Sequence, residues 1–559
     1  MGRLQLFILL FVASSLLFQL PSGAFASSPS DITAADKETD ESNGFTMLDG
    51  AYGVDTFTIG TSTYAIVTGS VDDGVQIIDI SDPANIVAVD AETDGSNGFT
   101  ALDGANGVDT FTIGTSTYAI VTGSVDDGVQ IIDISDPTDI SATDAVIEPL
   151  VAGEGGELSS ARDVATFTID SSTYAIVTAQ AADNVGGVKI FDISDPTNIV
   201  EKDYECDDNS AYPDPECGGS FTMLGGATGV DTFTIGTSTY AIVVSYNDDG
   251  VQIIDISDPT DMVAKDAETD GANGFTMLVR ASGVETFTVG SSTYAIVTSP
   301  GDDGVQIIDI SDPTDIVAKD AETDGSNGFT MLDGAQDVHT FTIGTSTYAI
   351  VSGYIDDGVQ IIDISDPTDI VAVDAETDGL NSFTALDGAY SVKTFTIGSS
   401  TYAIVASYGD DAVQIIELKC TNSCVSDTST TDEGSSTCTR LVILGNCGTI
   451  AINNDEYRII HPWSTIPTTE VMVGDPVSIT LSTPHNYAVG KINSVSVYTE
   501  IFGSAANYEQ GAHIGYSIMS DKYSVSKANL FQVAAATHRI VQDPDVKNLE
   551  MFEVVFTMI

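Results

Sequence analysis

Acidic side chains recur along this chain at a spacing that could hold a cation. The pattern Asp-x-Glu-x-Asp-x-x-Asn occurs at Asp36/Glu38/Asp40/Asn43, then at Asp90, Glu92, Asp94 and Asn97, and again at Asp266, Glu268, Asp270 and Asn273. It returns at Asp320, Glu322, Asp324 and Asn327, and at Asp374, Glu376, Asp378 and Asn381. Hard oxygen donors at alternate positions, followed in most copies by a turn-forming Gly, are what Ca²⁺ loops use. The match to an EF-hand loop is incomplete, because its twelfth position is apolar (Ala101 in the copy that starts at Asp90). A second acidic set is the "DDG" triplet, as in Asp72-Asp73-Gly74 and Asp356-Asp357-Gly358. A competing reading needs no metal. Asp, Asn and Gly are the residues that turns prefer, and acidity keeps a protein soluble. Ca²⁺ is the one cofactor these residues suggest, and turn chemistry is its rival.

Other chemistry is thin. His339 lies in the repeated part, and His461, His485, His513 and His538 lie beyond it. None belongs to a Ser-His-Asp or metalloprotease motif. Asp and Glu are too plentiful for one pair to stand out as a glycosidase dyad.

The elements that must position these groups come from repetition. The anchor "TYAIV" places Tyr64, Tyr118, Tyr174, Tyr240, Tyr294, Tyr348 and Tyr402 at intervals of 54, 56, 66, 54, 54 and 54 residues. Each unit holds four strand candidates, "GVDTFTIG", "STYAIVTG", "GVQIIDIS" and "NIVAVDAE" in the first copy. They are rich in β-branched and aromatic residues and are divided by Gly, Asp, Ser and Pro turn signals. Four short strands per repeat fit a propeller blade. The seventh copy stops after its third strand at "AVQIIELK", and the stretch from Ser30, "SDITAADKETDESNGFTML", supplies the missing fourth. The expected fold is all-β: a seven-bladed β-propeller closed by an N-terminal strand, a closure that removes open sheet edges.

"YAIV…GVQIIDISDP" resembles the LVIVD repeat of bacterial and archaeal surface and secreted proteins. The resemblance covers about residues 30–419; the third unit ("GGVKIFDISDP") is the most divergent, and the seventh lacks "DISDP". It implies a propeller and an extracellular address, and no particular reaction. The expected domains are a signal peptide at 1–26, the propeller at 27–419, a Ser/Thr-rich linker at 420–438 and a small β-sandwich at 439–559. That last part, with alternating runs such as "VMVGDPVSITLST", resembles immunoglobulin-like modules of archaeal surface proteins.

Composition bounds the partners. In 559 residues, 83 Asp+Glu oppose 17 Lys+Arg, a formal charge of −66. Phosphate contact needs a basic face, so nucleic acid is excluded and cations are favoured. Arg3, an apolar run from Leu4 to Leu20 and Ala24-Phe25-Ala26 read as an export signal, giving a secreted or cell-surface protein. No later segment approaches the roughly 20 apolar residues of a membrane helix, so none is expected in the mature chain. Outside the cytoplasm, six cysteines read as disulfides. Cys206 and Cys217 bracket an insertion, while Cys420, Cys424, Cys438 and Cys447 allow three pairings.

Two functions from different classes survive. One is a non-catalytic binding or scaffold module with an acidic face for cations, a cell-surface protein or a polysaccharide. The other is an extracellular propeller hydrolase with carboxylates at the central channel. Near-identity of repeats one, two, five and six favours the first, because catalysis needs unlike groups. The single Trp463 speaks against a quinone-cofactor propeller with a Trp motif in every blade. The discriminator is whether unlike polar residues converge in one pocket.

Overall fold

A computed structural model describes residues 32–148, 157–180, 186–207, 220–343, 346–398 and 400–418 of the repeats, together with strands of the remainder. Each repeat forms one four-stranded antiparallel sheet. In the first, Ala51–Ile59, Ser62–Gly69, Gly74–Asp79 and Val87–Thr93 pair in chain order. The next five sheets follow the same rule. The seventh joins Ala389–Ile397, Ser400–Ser407 and Ala412–Leu418 to Ile32–Thr39, which lies antiparallel to Ala412–Leu418. The protein is a seven-bladed β-propeller.

The sequence explains the strands and their ends. Within a blade, Phe57 sits opposite Tyr64 and their rings stack at 5.5 Å. All seven blades repeat this pair. Cross-strand aromatic pairs of this kind fix register as well as adding stability. The second and third strands connect through the "DDG" turns, where Asp73 and its counterparts take a positive φ near 52°. Asp tolerates that left-handed conformation better than most residues.

The core lies between blades. Ala65, Ile66, Val67, Val75, Ile77 and Ile78 are all buried, so the central strands of a blade are covered on both faces. Seven clusters result, each shared by two neighbouring blades. A buried Gln on each third strand ties the sheet to the connector. Gln76 accepts from the Thr46 amide at 3.0 Å and donates to the Asp90 carbonyl at 2.8 Å. Lys189 replaces it in the third blade, enclosed by Glu148, Glu157 and Glu201.

The first strand of each blade is the innermost, and neighbouring first strands adjoin around the whole ring, Ala389–Ile397 lying beside Ala51–Ile59. Their backbones approach so closely that a Cβ on Gly53 would lie 2.2 Å from the Asn106 carbonyl. Glycine is therefore required there.

A second compact unit comprises residues 1–31 and 420–559. One of its sheets has the order Thr469–Met472, Arg3–Phe11, Ser494–Glu500, Ala512–Ser517, Lys522–Val525. The other has the order Asp455–Arg458, Thr449–Ile452, Val477–Pro484, Glu550–Met558, Val533–Gln542. The first part of the leader-like run thus appears as the strand Arg3–Phe11. Among the described residues no helix is long and apolar enough to cross a membrane. Cys217, Cys420, Cys424, Cys438, Cys447 and the Ala24-Phe25-Ala26 site lie outside the described residues.

Candidate functional site

The acidic motif residues are brought to three different places rather than to one ligand shell. Asp90 reaches the next blade, where its Oδ2 accepts the Ile140 amide at 2.8 Å. Asp266 and Asp320 do the same for Ile316 and Ile370, both at 2.8 Å, and Asp374 accepts from Ile32 at 3.0 Å. Asp36 accepts from Ile86 at 2.8 Å, so strand Ile32–Thr39 both gives and takes this bond.

The second and fourth motif positions satisfy each other. Glu92 is held within its own connector, both carboxylate oxygens accepting from Asn97 Nδ2. The later copies repeat that fork. Asn273 Nδ2 donates to both oxygens of Glu268, and Asn327 Nδ2 donates to both oxygens of Glu322. Asn381 Nδ2 donates to Glu376 Oε1 at 3.1 Å and to Oε2 at 2.8 Å. A Ca²⁺ loop needs these asparagines as oxygen donors. Instead Asn97, Asn273, Asn327 and Asn381 each turn an N–H group toward the neighbouring glutamate, and all four take a positive φ of 48–49° at the bend. Their place in the motif therefore follows from turn chemistry, since Asn accepts the left-handed conformation and its side chain bonds locally.

The third position has its own task. Asp94, Asp270, Asp324 and Asp378 accept the amides of Leu102, Leu278, Leu332 and Leu386. Among the described residues no group of three or more His, Cys, Asp or Glu is disposed to hold a metal ion. The Ca²⁺ expectation thus gains no support from the motif positions that suggested it. The aspartates satisfy backbone N–H groups that the turns leave open.

The "DDG" turns share a face with the connectors. Asp73 accepts from the Gly104 amide of the next blade at 3.0 Å, and Asp72 from Asp49 at 2.9 Å. Carboxyls crowd at these seams. Desolvation and the neighbouring Asp73 push Asp103 up to about 6. Asp49 beside Asp411, Asp333 beside Asp303 and Asp387 beside Asp357 are raised for the same reasons.

Unlike side chains converge in the central channel, a cavity of about 510 Å³. At its mouth Tyr52, Arg162, Thr228, Ser282, Gln336 and Tyr390 line the cavity, while their counterpart in the second blade, Asn106, is buried. Five residue types face one another across a ring whose outer strands are closely similar. Tyr52 and Tyr390 pack ring to ring at 3.9 Å with their hydroxyls hydrogen-bonded. Arg162 Nη1 donates to the Tyr52 hydroxyl at 3.3 Å, and its Nε donates to Gln180 Oε1 at 2.9 Å. Tyr354 meets Tyr390 edge-on at 6.0 Å. On the preceding blades, Ser282 Oγ donates to Gln336 Oε1 at 3.0 Å.

Below the mouth the channel turns acidic. Asp163 and Asp337 stand where most blades have Gly, and Asp55, Asp109, Asp231 and Glu285 follow one level deeper, with His339 and Lys393. Desolvation raises Asp163 to about 7, against the amides of Val230 and Val164 that favour its charge, and Asp337 and Asp109 add to the rise. Desolvation also raises Asp109, to about 6, with Asp55 contributing. Glu285 is held well above the carboxylate range by desolvation and by Asp231. Desolvation opposes charge on Lys393, but Asp55, Glu285, Asp109 and Asp337 outweigh it and keep the ammonium protonated. Its Nζ lies 3.6 Å from Asp55 Oδ1. Desolvation and Lys393 hold His339 neutral.

Threonines staple this deeper ring across blades. Thr110 Oγ1 donates to Asp55 at 2.6 Å, and Thr286 Oγ1 to Asp231 at 2.7 Å. The Thr394 hydroxyl, 2.9 Å from His339 Nδ1, is the same bond with His in place of Asp. It is a positioning contact shared around the ring.

Comparison with known families matches the LVIVD repeat at residues 64–91, 175–205, 239–267 and 293–321. The chain is an LVIVD-repeat propeller. No curated protein matches it. Several solved structures are similar to this LVIVD-repeat propeller. A functionally unknown protein of Desulfotomaculum acetoxidans is 14% identical with a TM-score of 0.40, covering 61% of this chain and 92% of that one. The periplasmic gluconolactonase of Pseudomonas aeruginosa is 8% identical with a TM-score of 0.42, covering 68% and 97%. A Lactobacillus plantarum protein is 10% identical with a TM-score of 0.37, covering 72% and 91%.

Proposed function

We propose that this protein is a non-catalytic, exported binding module whose specific site is the mouth of the central channel. One observation carries the reading. Repeats of closely similar sequence differ at the inner-strand positions, and Tyr52, Arg162, Thr228, Ser282, Gln336 and Tyr390 among them line one cavity of about 510 Å³. That volume suits a small molecule or one protruding group of a surface polymer. Repetition explains the scaffold, and its local failure points to recognition.

The hydrolytic alternative also draws on unlike polar groups in the channel. It needs a hydroxyl free to attack, activated by a base. The Thr394–His339 contact is the inter-blade staple already seen at Thr110–Asp55 and Thr286–Asp231, which favours binding over turnover. In this reading strand Ile32–Thr39 is the clasp of the ring, and the acidic seams provide solubility. The C-terminal strands form a β-sandwich that presents the propeller outside the cell. Export rests on the Arg3, Leu4–Leu20 and Ala24-Phe25-Ala26 pattern, and it removes strand Arg3–Phe11 from the mature chain. N-terminal sequencing of secreted protein then begins at Ser27; an intact Met1 refutes export by cleavage.

The binding reading is tested by native mass spectrometry of the protein purified from its own source and then exchanged into envelope extract. A small molecule retained by the parent and lost in Ser282→Trp, which plugs the mouth, supports it. Retention unchanged by that substitution places binding elsewhere and defeats it.

A further inference from the structure

The distribution of positive charge names the ligand class. Residues 32–418 contain two arginines, Arg162 at this mouth and Arg280, which is exposed and outside the cavity lining. Arg162 lines the cavity, and the Arg280 guanidinium lies 5.6 Å from the ring of Tyr246, another lining residue. The lysines outside the channel are engaged elsewhere. Lys202, Lys265 and Lys319 pair with Asp192, Asp255 and Asp309 at 3.0, 3.0 and 2.9 Å, and Lys189 is enclosed by three glutamates. Lys37 donates to the Thr384 carbonyl at 3.0 Å. Neither arginine forms an ion pair among the described residues, in a chain of net charge −66. A guanidinium surrounded by so many carboxylates and paired with none of them is reserved for something else.

Arg162 is oriented by neutral acceptors. Gln180 takes Nε and Tyr52 takes Nη1, so the plane of the group is fixed while Nη2 keeps no partner among the described residues. A pre-set, uncompensated fork of this kind is suited to a carboxylate or another planar oxyanion. One residue further along the same strand the sign reverses. Asp163 lines the same cavity, with Asp337 across from it, and the six channel carboxyls below the mouth face a single permanent cation, Lys393. The mouth therefore offers an unpaired cation directly above an excess of negative charge.

We infer that the channel mouth takes a small zwitterion, its anionic group on Arg162 and its ammonium over Asp163 and Asp337. The inference rests on the reading of the mouth as the binding site. Arg162 and Asp163 are consecutive residues that line one cavity, so the ligand is a small molecule that carries both poles. A simple anion would face the carboxylates below, and a simple amine would leave Arg162 unpaired. The Tyr52–Tyr390 pair supplies an aromatic wall for the carbon chain between the charges.

Calorimetric titration of the full mature protein separates the two poles. The probes are γ-aminobutyrate and glycine, which carry both charges, against butyrate and butylamine, which carry one each, all at constant ionic strength and about pH 8. At least one zwitterion should bind about tenfold more tightly than either single-charge probe, as two charge-assisted contacts replace one. Arg162→Gln should remove that advantage and leave butylamine unchanged. Asp163→Asn should weaken the zwitterion and butylamine alike, and leave butyrate unchanged. Thermal melts confirm that both variants remain folded. Equal affinity for γ-aminobutyrate and butylamine, no binding of either zwitterion, or an Arg162→Gln variant of unaltered affinity overturns the inference. A different molecule retained in a Ser282→Trp-sensitive manner would then leave the binding reading standing, whereas no such molecule would remove both.

Discussion

Lowering the pH from about 8 to about 5 should stabilise this propeller, the reverse of ordinary acid weakening. The carboxyls of the channel and seams are raised in the folded state, and Asp163, at about 7 against an ordinary 3.8, is among the largest cases. A carboxyl whose folded pKa lies above its unfolded one binds more protons folded than unfolded in that window. Stability then falls as pH rises through the window and is regained as pH falls. For Asp163 the whole shift corresponds to about 4 kcal/mol, at about 1.4 kcal/mol per unit. Asp163 lines the channel and is only partly buried, so roughly half, about 2 kcal/mol, is the better expectation. Desolvation sets it first, and Asp337 across the channel and Asp109 on the neighbouring blade add to the rise; Arg162 and Lys393 are the charged cations that line the same channel. Asp248, raised to about 7 by desolvation and by Asp207, and Asp103 act in the same direction. Urea midpoints at constant ionic strength provide the assay. The midpoint should be higher at about pH 5 than at about pH 8, and Asp163→Asn should raise the pH 8 value and narrow the gap. A midpoint that drops steadily from pH 8 to pH 5, with Asp163→Asn destabilising at both, refutes the reasoning. Below about pH 4 the trend should reverse, because Asp192, Asp255 and Asp309, each held by a serine and a lysine, are lowered.

Removing residues 30–40 should strip the outer strand from the last blade, uncover Ala412–Leu418 and leave Asp374 without the Ile32 amide. Aggregation or a sharply lower melting temperature is expected, and a variant that melts like the parent would show that this strand is dispensable. Cys206, fully buried at the end of strand Val200–Cys206, should be joined to Cys217 in non-reducing peptide maps; free thiols at both positions would contradict the pairing. Ca²⁺ should move the melting temperature no further than monovalent salt of equal ionic strength, since each motif carboxylate already accepts hydrogen bonds. A rise specific to Ca²⁺ would restore the ligand reading of Asp90, Glu92, Asp94, Asn97 and their copies.

The fold was legible because its signals are repeated. "TYAIV" and "GVQIID" are β-branched runs buried on both faces, and seven copies at a near-constant interval leave little room for another architecture. The roles of the acidic motif were not legible. A spacing of Asp, Glu and Asn looks the same whether the oxygens meet a metal or the amides of three different turns, and only the register across blades distinguishes the two. Nor does the letter Asn reveal which end of its amide is used, and Asn273, Asn327 and Asn381 present nitrogen where a cation would need oxygen. The channel was hidden for a different reason. Tyr52 and Tyr390 touch across 338 residues of sequence, and each blade contributes one residue per level. His339 is therefore far in sequence from Arg162 and Asp163, with nothing local to mark them as neighbours. A signal was present nonetheless: with the seven units superposed by register, the column from Tyr52 to Tyr390 varies while the Tyr64 column is constant.

The most direct test of a channel-mouth binding site is a crystal structure of the protein grown from material that has been exposed to envelope extract. Electron density bounded by Arg162, Tyr390 and Gln336, and absent from Ser282→Trp crystals prepared in the same way, is the predicted result. A bound molecule located at the acidic seams or on the outer strands, with the channel holding only water, would contradict it.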